Sequence, residues 1–325
     1  MTYAKIIGTG MYVPEKVLTN FDLEKIVDTS DQWITERTGI KERRIASADM
    51  MTSDLAKEAS IRALESAKVS PEDIDMIIVA TITADYLFPT ASCILKDKIG
   101  NKKAAAYDVS AGCTGLIYAL ATANAFIKSG IYKNILVVGV ESLTKVTNWK
   151  DRNTCVLFGD GASAMVLTAS DEPGIIDLYL NADRDRDLNL YIPASGTSKE
   201  ITCEDIKEGK NKIYMNGSAI FKLGVRAMAS ASKEVLKKHN MTNDDIDWLV
   251  PHQANIRIIQ SVAKQLKLDM NKVITNIHKY GNTSAASIGI AFDEAVREGK
   301  VKKGDTVLFT AFGAGLTWGS LLFRF

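Results

Sequence analysis

Three short segments, far apart in the chain, hold side chains that could do chemistry. They are Ser110-Ala111-Gly112-Cys113-Thr114-Gly115, Val250-Pro251-His252-Gln253-Ala254-Asn255 and Gly281-Asn282-Thr283-Ser284-Ala285-Ala286-Ser287. Each sets one reactive or strongly hydrogen-bonding group among small residues, at what reads as the end of a strand. A cysteine can attack a thioester carbonyl, and a histidine with an asparagine can hydrogen-bond an enolate oxygen. Together the three point to carbon–carbon bond formation on acyl thioesters.

Cys113 opens an apolar run that reads as a helix. A helix N-terminus has unpaired N–H groups and a partial positive charge, which favour thiolate over thiol. Such a site brings a free cysteine from a pKa of about 8.5 to roughly 3.5–7.5, so a lowered pKa is expected. A buried packing cysteine is equally compatible with the local sequence. Cys93 and Cys155 lie in apolar contexts and read as packing residues. His252 ends the apolar Trp248-Leu249-Val250-Pro251 run, at the strand end where α/β folds put sites; a satisfied core histidine is the alternative. Asn255 suits the N-cap of a helix over 256–267. Locally, Asn282 could be no more than a helix cap. His239 reads as a surface residue and His278 as loop.

The elements that must position these residues alternate between strand and helix. Residues 74–81 and 134–139 are continuous apolar runs, as in strands buried on both faces. Residues 53–67 carry helical periodicity. Residues 113–129 read as a helix apolar almost all round, hence buried. The class is α/β. The halves also resemble each other. Asp75 and Asp247 sit in similar segments 172 residues apart, Cys113 and Asn282 are 169 apart, and Gly159 and Gly313 are 154 apart. The turn-rich stretch at 170–174 is the natural seam, dividing the chain into 1–172 with Cys113 and 173–325 with His252 and Asn282. Cys113 and Asn282 are then expected at equivalent helix starts. Residues 183–212, rich in charge, Gly and Ser, read as an exposed insertion.

Composition narrows the function classes. The chain has 325 residues, 46% of them hydrophobic, enough for a sizeable core. A net charge of +1 provides no global field for nucleic acid or an anionic membrane. The 3 histidines and 4 cysteines show no metal-ligand spacing. No apolar run approaches the roughly 18 residues of a membrane helix, and no signal peptide is evident. Sparse cysteines fit a reducing, cytoplasmic setting.

At these residues the chain resembles the β-ketoacyl-acyl-carrier-protein synthase III family, the initiating condensing enzymes of type II fatty-acid synthesis. Asp31-Gln32-Trp33-Ile34, Thr38-Gly39-Ile40, Gly159-Asp160-Gly161-Ala162 and the His252 and Asn282 segments carry the resemblance, which spans essentially the whole chain. It implies the thiolase-like fold, two duplicated αβ halves in a five-layered αβαβα arrangement, and a homodimer. It implies that Cys113 takes the acyl group from acyl-CoA, and that His252 and Asn282 bind the malonyl thioester during decarboxylation. The oxyanion hole would use the backbone N–H groups of Cys113 and Ala314. Ala314 stands where the family often has glycine, which raises the question of whether its backbone needs a positive φ. Thr29, Trp33, Arg37, Arg152, Gly217 and Asn255 match the CoA-binding region. Phe88 matches the residue that enters the partner subunit's acyl pocket. Lys222 matches a docking position for the acidic acyl carrier protein, and Arg257 and Lys264, seven apart on one helix, would join it. No metal or redox cofactor is implied. A related ketosynthase or acyltransferase of a specialised pathway, with another donor or acceptor, is the alternative.

Overall fold

The computed structural model describes residues 2–325. The first sheet has five strands: β1 (Tyr3–Tyr12), β2 (Met76–Ala80), β3 (Ala105–Val109), β4 (Asn134–Ser142) and β5 (Asp160–Ser170), in spatial order β1-β5-β4-β2-β3. The second has four: β6 (Ile175–Ala182), β7 (Trp248–Pro251), β8 (Thr306–Gly313) and β9 (Thr317–Arg324), in order β6-β9-β8-β7. The pairings match as well as the order. β1 with β5 and β5 with β4 are antiparallel, as are β6 with β9 and β9 with β8. β4 with β2 and β8 with β7 are parallel. The apolar runs at 74–81 and 134–139 become β2 and β4, and every residue of β2 is buried.

Helices cover each sheet on both faces, as a parallel core requires. The main ones are α1 (Asp31–Thr38), α2 (Thr52–Ala67), α3 (Gly115–Lys128), α4 (Gly217–Lys238), α5 (Ile256–Gln265) and α6 (Ser287–Arg297). α2 lies on the outer face of the first sheet, and α4 with α5 on the outer face of the second. α3 and α6 form the middle layer. α3 touches strands of both sheets, which is why its sequence is apolar almost all round. The result is the five-layered αβαβα arrangement of a thiolase-like fold.

The repeat is visible in the numbering. β1 and β6 begin 172 residues apart, and so do β2 and β7, β4 and β8, and α3 and α6. This corrects the expected equivalence of Cys113 with Asn282. Cys113 lies in the 3-10 turn Gly112–Thr114, and the matching turn is Ser284–Ala286. Ala285 is therefore the counterpart of Cys113, and Asn282 stands just upstream. The shorter late offset has a simple cause: the β4–β5 connection spans 143–159, whereas the β8–β9 connection spans only 314–316.

The segment 183–212 is more ordered than a solvated face. It contributes the strand Leu190–Tyr191, paired with Tyr214–Met215, and the helix Cys203–Lys207. Asp185, Asn189, Ala194 and Asp205 within it are buried, and Asp185 accepts hydrogen bonds from the Asn189 side chain and backbone. Two smaller expectations also change. Cys93 points outward from the helix Ala91–Lys98, whose inner face is Ala91, Ser92 and Leu95. His278 lies in the one-turn helix Ile277–Tyr280. No helix of the described residues is long and apolar enough to cross a membrane.

Candidate active site

The Cys113 turn is fixed from the opposite half of the chain. Thr317 Oγ1 donates to the Ala111 carbonyl at 2.7 Å, and Thr114 Oγ1 donates to the Thr317 carbonyl at 3.1 Å. Two glycines allow the close approach. A Cβ on Gly313 would stand 2.4 Å from the Cys113 amide nitrogen, and one on Gly112 would stand 2.8 Å from the Ala314 carbonyl oxygen. Gly112 also takes φ +53°. Ala314 does not take a positive φ; that conformation falls on Gly315, at +145°. Alanine is therefore compatible with this loop. Gly313, rather than Ala314, forms part of the cavity wall, and the Ala314 backbone packs on Gly112.

The surroundings of Cys113 oppose the lowering expected at a helix start. Burial pushes the thiol up to about 11; the Glu141 carboxylate adds to the rise, and a hydrogen bond with the Ser284 side chain opposes it. Packing around the sulfur thus opposes the helix-N-terminal field, while the residue itself is part-exposed on the cavity wall.

His252 follows β7, where its backbone N–H donates to the Thr310 carbonyl at 2.8 Å. Its Nδ1 lies 2.6 Å from the hydroxyl of Ser287, the first residue of α6. That hydroxyl oxygen also accepts from the Gln253 N–H at 3.3 Å, so its own proton is free to point at Nδ1. The tautomer in which that proton meets Nδ1 carries its ring hydrogen on Nε2, a donor. Burial pulls the imidazole down to about 3, so it is neutral at physiological pH. Asn282 is oriented in the same way: its Oδ1 accepts from the Ser284 N–H at 2.8 Å, leaving the NH2 to donate. Its backbone is anchored to Leu157 and Gly159.

All three residues line one cavity of about 880 Å³. Trp33, Arg37, Gly217, Lys222, Asn255 and Arg257 share its wall, and Leu190 brings in the 183–212 segment. The Trp33 ring carries the guanidinium carbons of Arg37 and Arg152 at 5.0 and 5.1 Å from its centroid. Asn255 caps α5 and donates from its side chain to the Arg37 carbonyl at 2.9 Å. Thr29, Arg152, Lys264 and Phe88 lie outside the cavity wall. Phe88 and Leu87 are 85% and 92% exposed. Lys264 is exposed on α5, as is Arg257.

Sequence reasoning missed Glu141. It is fully buried at the end of β4 and faces the Cys113 turn. The signal was a single glutamate closing an otherwise apolar strand at its C-terminal end. Ser284 and Ser287 were part of a recognised segment but carried no assigned role.

Fold and cavity define a thiolase-fold condensing enzyme, with Cys, His and Asn drawn from three separate turns. The comparisons narrow the class. Family models described as 3-oxoacyl-[acyl-carrier-protein] synthase III, and as its C-terminal part, match residues 107–184 and 236–325. The chain is 56% identical to beta-ketoacyl-[acyl-carrier-protein] synthase III of Caldanaerobacter subterraneus subsp. tengcongensis, over 99% of this chain and 97% of that one. It is 51% identical to the protein of the same name in Clostridioides difficile, over 98% and 97%. The crystal structure of 3-oxoacyl-[acyl-carrier-protein] synthase III from Aquifex aeolicus superposes with a TM-score of 0.92 at 48% identity, covering 99% of this chain and all of that one. The chain belongs to the β-ketoacyl-acyl-carrier-protein synthase III family of acyltransferases.

Proposed function

We propose that this chain joins a short acyl-CoA starter to malonyl-acyl carrier protein, giving a 3-oxoacyl-acyl carrier protein, CoA and CO2, and so initiates fatty-acid synthesis. One observation carries the reading: Cys113, His252 and Asn282 meet in a single cavity, the imidazole neutral and both nitrogen donors free. In the first half-reaction Cys113 sulfur attacks the thioester carbonyl, and charge gathers on oxygen. The backbone amides of Cys113 and Ala314 are the donors assigned to it. CoA leaves. Malonyl thioester then enters, and loss of CO2 places charge on its carbonyl oxygen. His252 Nε2–H and the Asn282 amide donate there, and the carbanion attacks the acyl group on Cys113. Protein groups handle every charge in this scheme, so it calls for no metal ion or redox cofactor.

Trp33, flanked by Arg37 and Arg152, offers an aromatic face and two cations to the nucleotide end of CoA. Thr29, Gly217 and Asn255 complete the assigned CoA site. Lys222, Arg257 and Lys264 are the cations for an acidic carrier protein. The exposed Leu87 and Phe88 suit insertion into a second copy of the chain as a homodimer, with Phe88 closing the partner's acyl pocket. Four free cysteines accord with a cytoplasmic setting.

Single-turnover mass spectrometry tests the reading. The protein is mixed with acetyl-CoA, or with longer and branched acyl-CoAs, and then with malonyl-acyl carrier protein. A starter-sized adduct on Cys113 that passes into a 3-oxoacyl carrier protein is expected. Adduct without condensation would favour the acyltransferase alternative, and no adduct from any donor overturns the role of Cys113.

A further inference from the structure

Among the described residues Arg43 is the largest fully buried side chain, and the scheme above gives it no role. It is the middle... residue of the short strand Glu42–Arg44, which pairs with Val17–Thr19. Its guanidinium forks onto three neutral acceptors. Nη1 donates to the Leu18 carbonyl at 3.1 Å and to Asn20 Oδ1 at 2.9 Å. Nη2 donates to Asn20 Oδ1 at 2.9 Å and to the Val156 carbonyl at 2.8 Å. Asn20 is itself held, donating from Nδ2 to Asp31 Oδ1 at 2.9 Å and to the Ile40 carbonyl at 2.8 Å. Burial pulls the guanidinium down to about 10, which leaves it charged at neutral pH. A charge buried against neutral acceptors is a poor device for stability, since an apolar side chain of similar size often serves a fold as well or better. What the planar fork does supply is a fixed connection between separate segments.

One of those segments carries Asn282. The Asn282 N–H donates to the Leu157 carbonyl at 2.8 Å, and the Gly159 N–H donates to the Asn282 carbonyl at 3.0 Å, so Phe158 and Asn282 bridge in parallel. Val156, Leu157 and Phe158 stand in the cavity wall with Asn282. The two segments cross against the Arg43 side chain. A Cβ on Gly281 would stand 2.7 Å from the Leu157 carbonyl oxygen and 3.4 Å from Arg43 Cβ. One on Gly159 would stand 2.4 Å from the Tyr280 carbonyl oxygen and 3.1 Å from Arg43 Cβ. Asn282 lies outside the helices and the two main sheets, so these bridging bonds set where its amide points. The Cys113 turn is held separately, by Thr317 and the 313–315 loop.

We propose that Arg43 is a positioning residue for decarboxylation: its fork fixes the 156–159 segment and, through it, the Asn282 amide against the malonyl thioester carbonyl. This rests on the condensing role assigned to the cavity. Arg43 makes and breaks no covalent bond. Its contribution falls on the second half-reaction, when the enolate oxygen needs an aligned donor. The first half-reaction uses Cys113 and the amides beside it, whose anchors are independent of the fork. Losing the fork lets Asn282 drift, and a displacement of about 1 Å costs roughly 10²-fold in rate.

The test uses Arg43→Met, which removes the fork, Arg43→Lys, which keeps the charge without the fork, and each combined with Asn282→Ala. Each protein is acylated at saturating acetyl-CoA and followed by intact mass. Malonyl-acyl carrier protein is then added and CO2 release is timed. Both single variants should form the Cys113 adduct at the wild-type rate and release CO2 more slowly, Arg43→Met by roughly 10²-fold. In the Asn282→Ala background neither Arg43 substitution should slow release further, because the group it positions is gone. Equal losses in the two steps overturn the proposal, since general damage to the fold would produce them. So do losses that multiply in the double variants, and so does CO2 release at the wild-type rate in either single variant. Arg43→Lys decides the matter should Arg43→Met fail to fold. A wild type that forms no adduct, or that releases no CO2, overturns the condensing role itself, and the positioning role with it.

Discussion

Charge state is the property of these residues that decides the chemistry. A neutral imidazole and a fixed amide can stabilise an enolate without giving up a proton. His252→Ala or Asn282→Asp should therefore spare the acyl adduct on Cys113 while slowing malonyl decarboxylation by about 10²–10³-fold, as loss of one aligned donor does; carbon dioxide release and intact-mass spectra report the two steps separately. The imidazole also leaves a mark on stability. Its folded pKa of about 3 lies below the ordinary 6.5, so the unfolded chain binds more protons between those values, and the fold weakens as pH drops from about 6.5. Compared with a His252→Gln variant, the wild type should lose about 1.4 kcal/mol more per pH unit between pH 6 and 4, read from urea unfolding. Cys113 and His252 were legible in the sequence because each follows a strand amid small residues, whereas Asn282 follows the one-turn helix Ile277–Tyr280 and was legible from its small neighbours and the resemblance. The charge of the thiol was not. It depends on burial and on Glu141, 28 positions away, and neither has a local signature.

At the level of elements, two short turns carry the design. The 112–114 turn leads into α3, the 284–286 turn leads into α6, and they pack against each other in the middle layer. The alternation of strands and helices and the buried character of α3 could be read from periodicity. The pairing of the turns could not, since loop lengths shift the apparent offsets and a one-turn displacement leaves no compositional trace. The close approach of the 313–315 loop is equally silent in the sequence, although it dictates glycine at 313. Gly313→Ala would place a methyl 2.4 Å from the Cys113 amide. Acylation should fall at least 10²-fold, as displacement of reacting groups by about 1 Å does, in a protein whose far-ultraviolet circular dichroism is unchanged.

Across the whole molecule, the cavity draws its walls from both halves, and no single half holds Cys113, His252 and Asn282. The fold class was legible because the duplicated pattern survives in the sequence. The starter group was not, since Leu87 and Phe88, the residues proposed to shape its pocket in a second copy, both point to solvent within one chain. Phe88→Ala should broaden starter choice toward longer or branched acyl-CoAs in a competition assay. Phe88→Asp should shift sedimentation toward a single copy. Unchanged selectivity and unchanged sedimentation would together remove the residue from any subunit contact.

The bonds between Thr317 and the Cys113 turn also bear on how the protein is made. β9 supplies both of them, and it leaves the ribosome about 200 residues after the cysteine does. Until that strand docks, the nucleophile has neither its anchor nor the 313–315 loop against it. A nascent or truncated chain lacking the strand therefore carries a Cys113 turn without its two cross-half bonds, and such a chain should form no acyl adduct with acetyl-CoA.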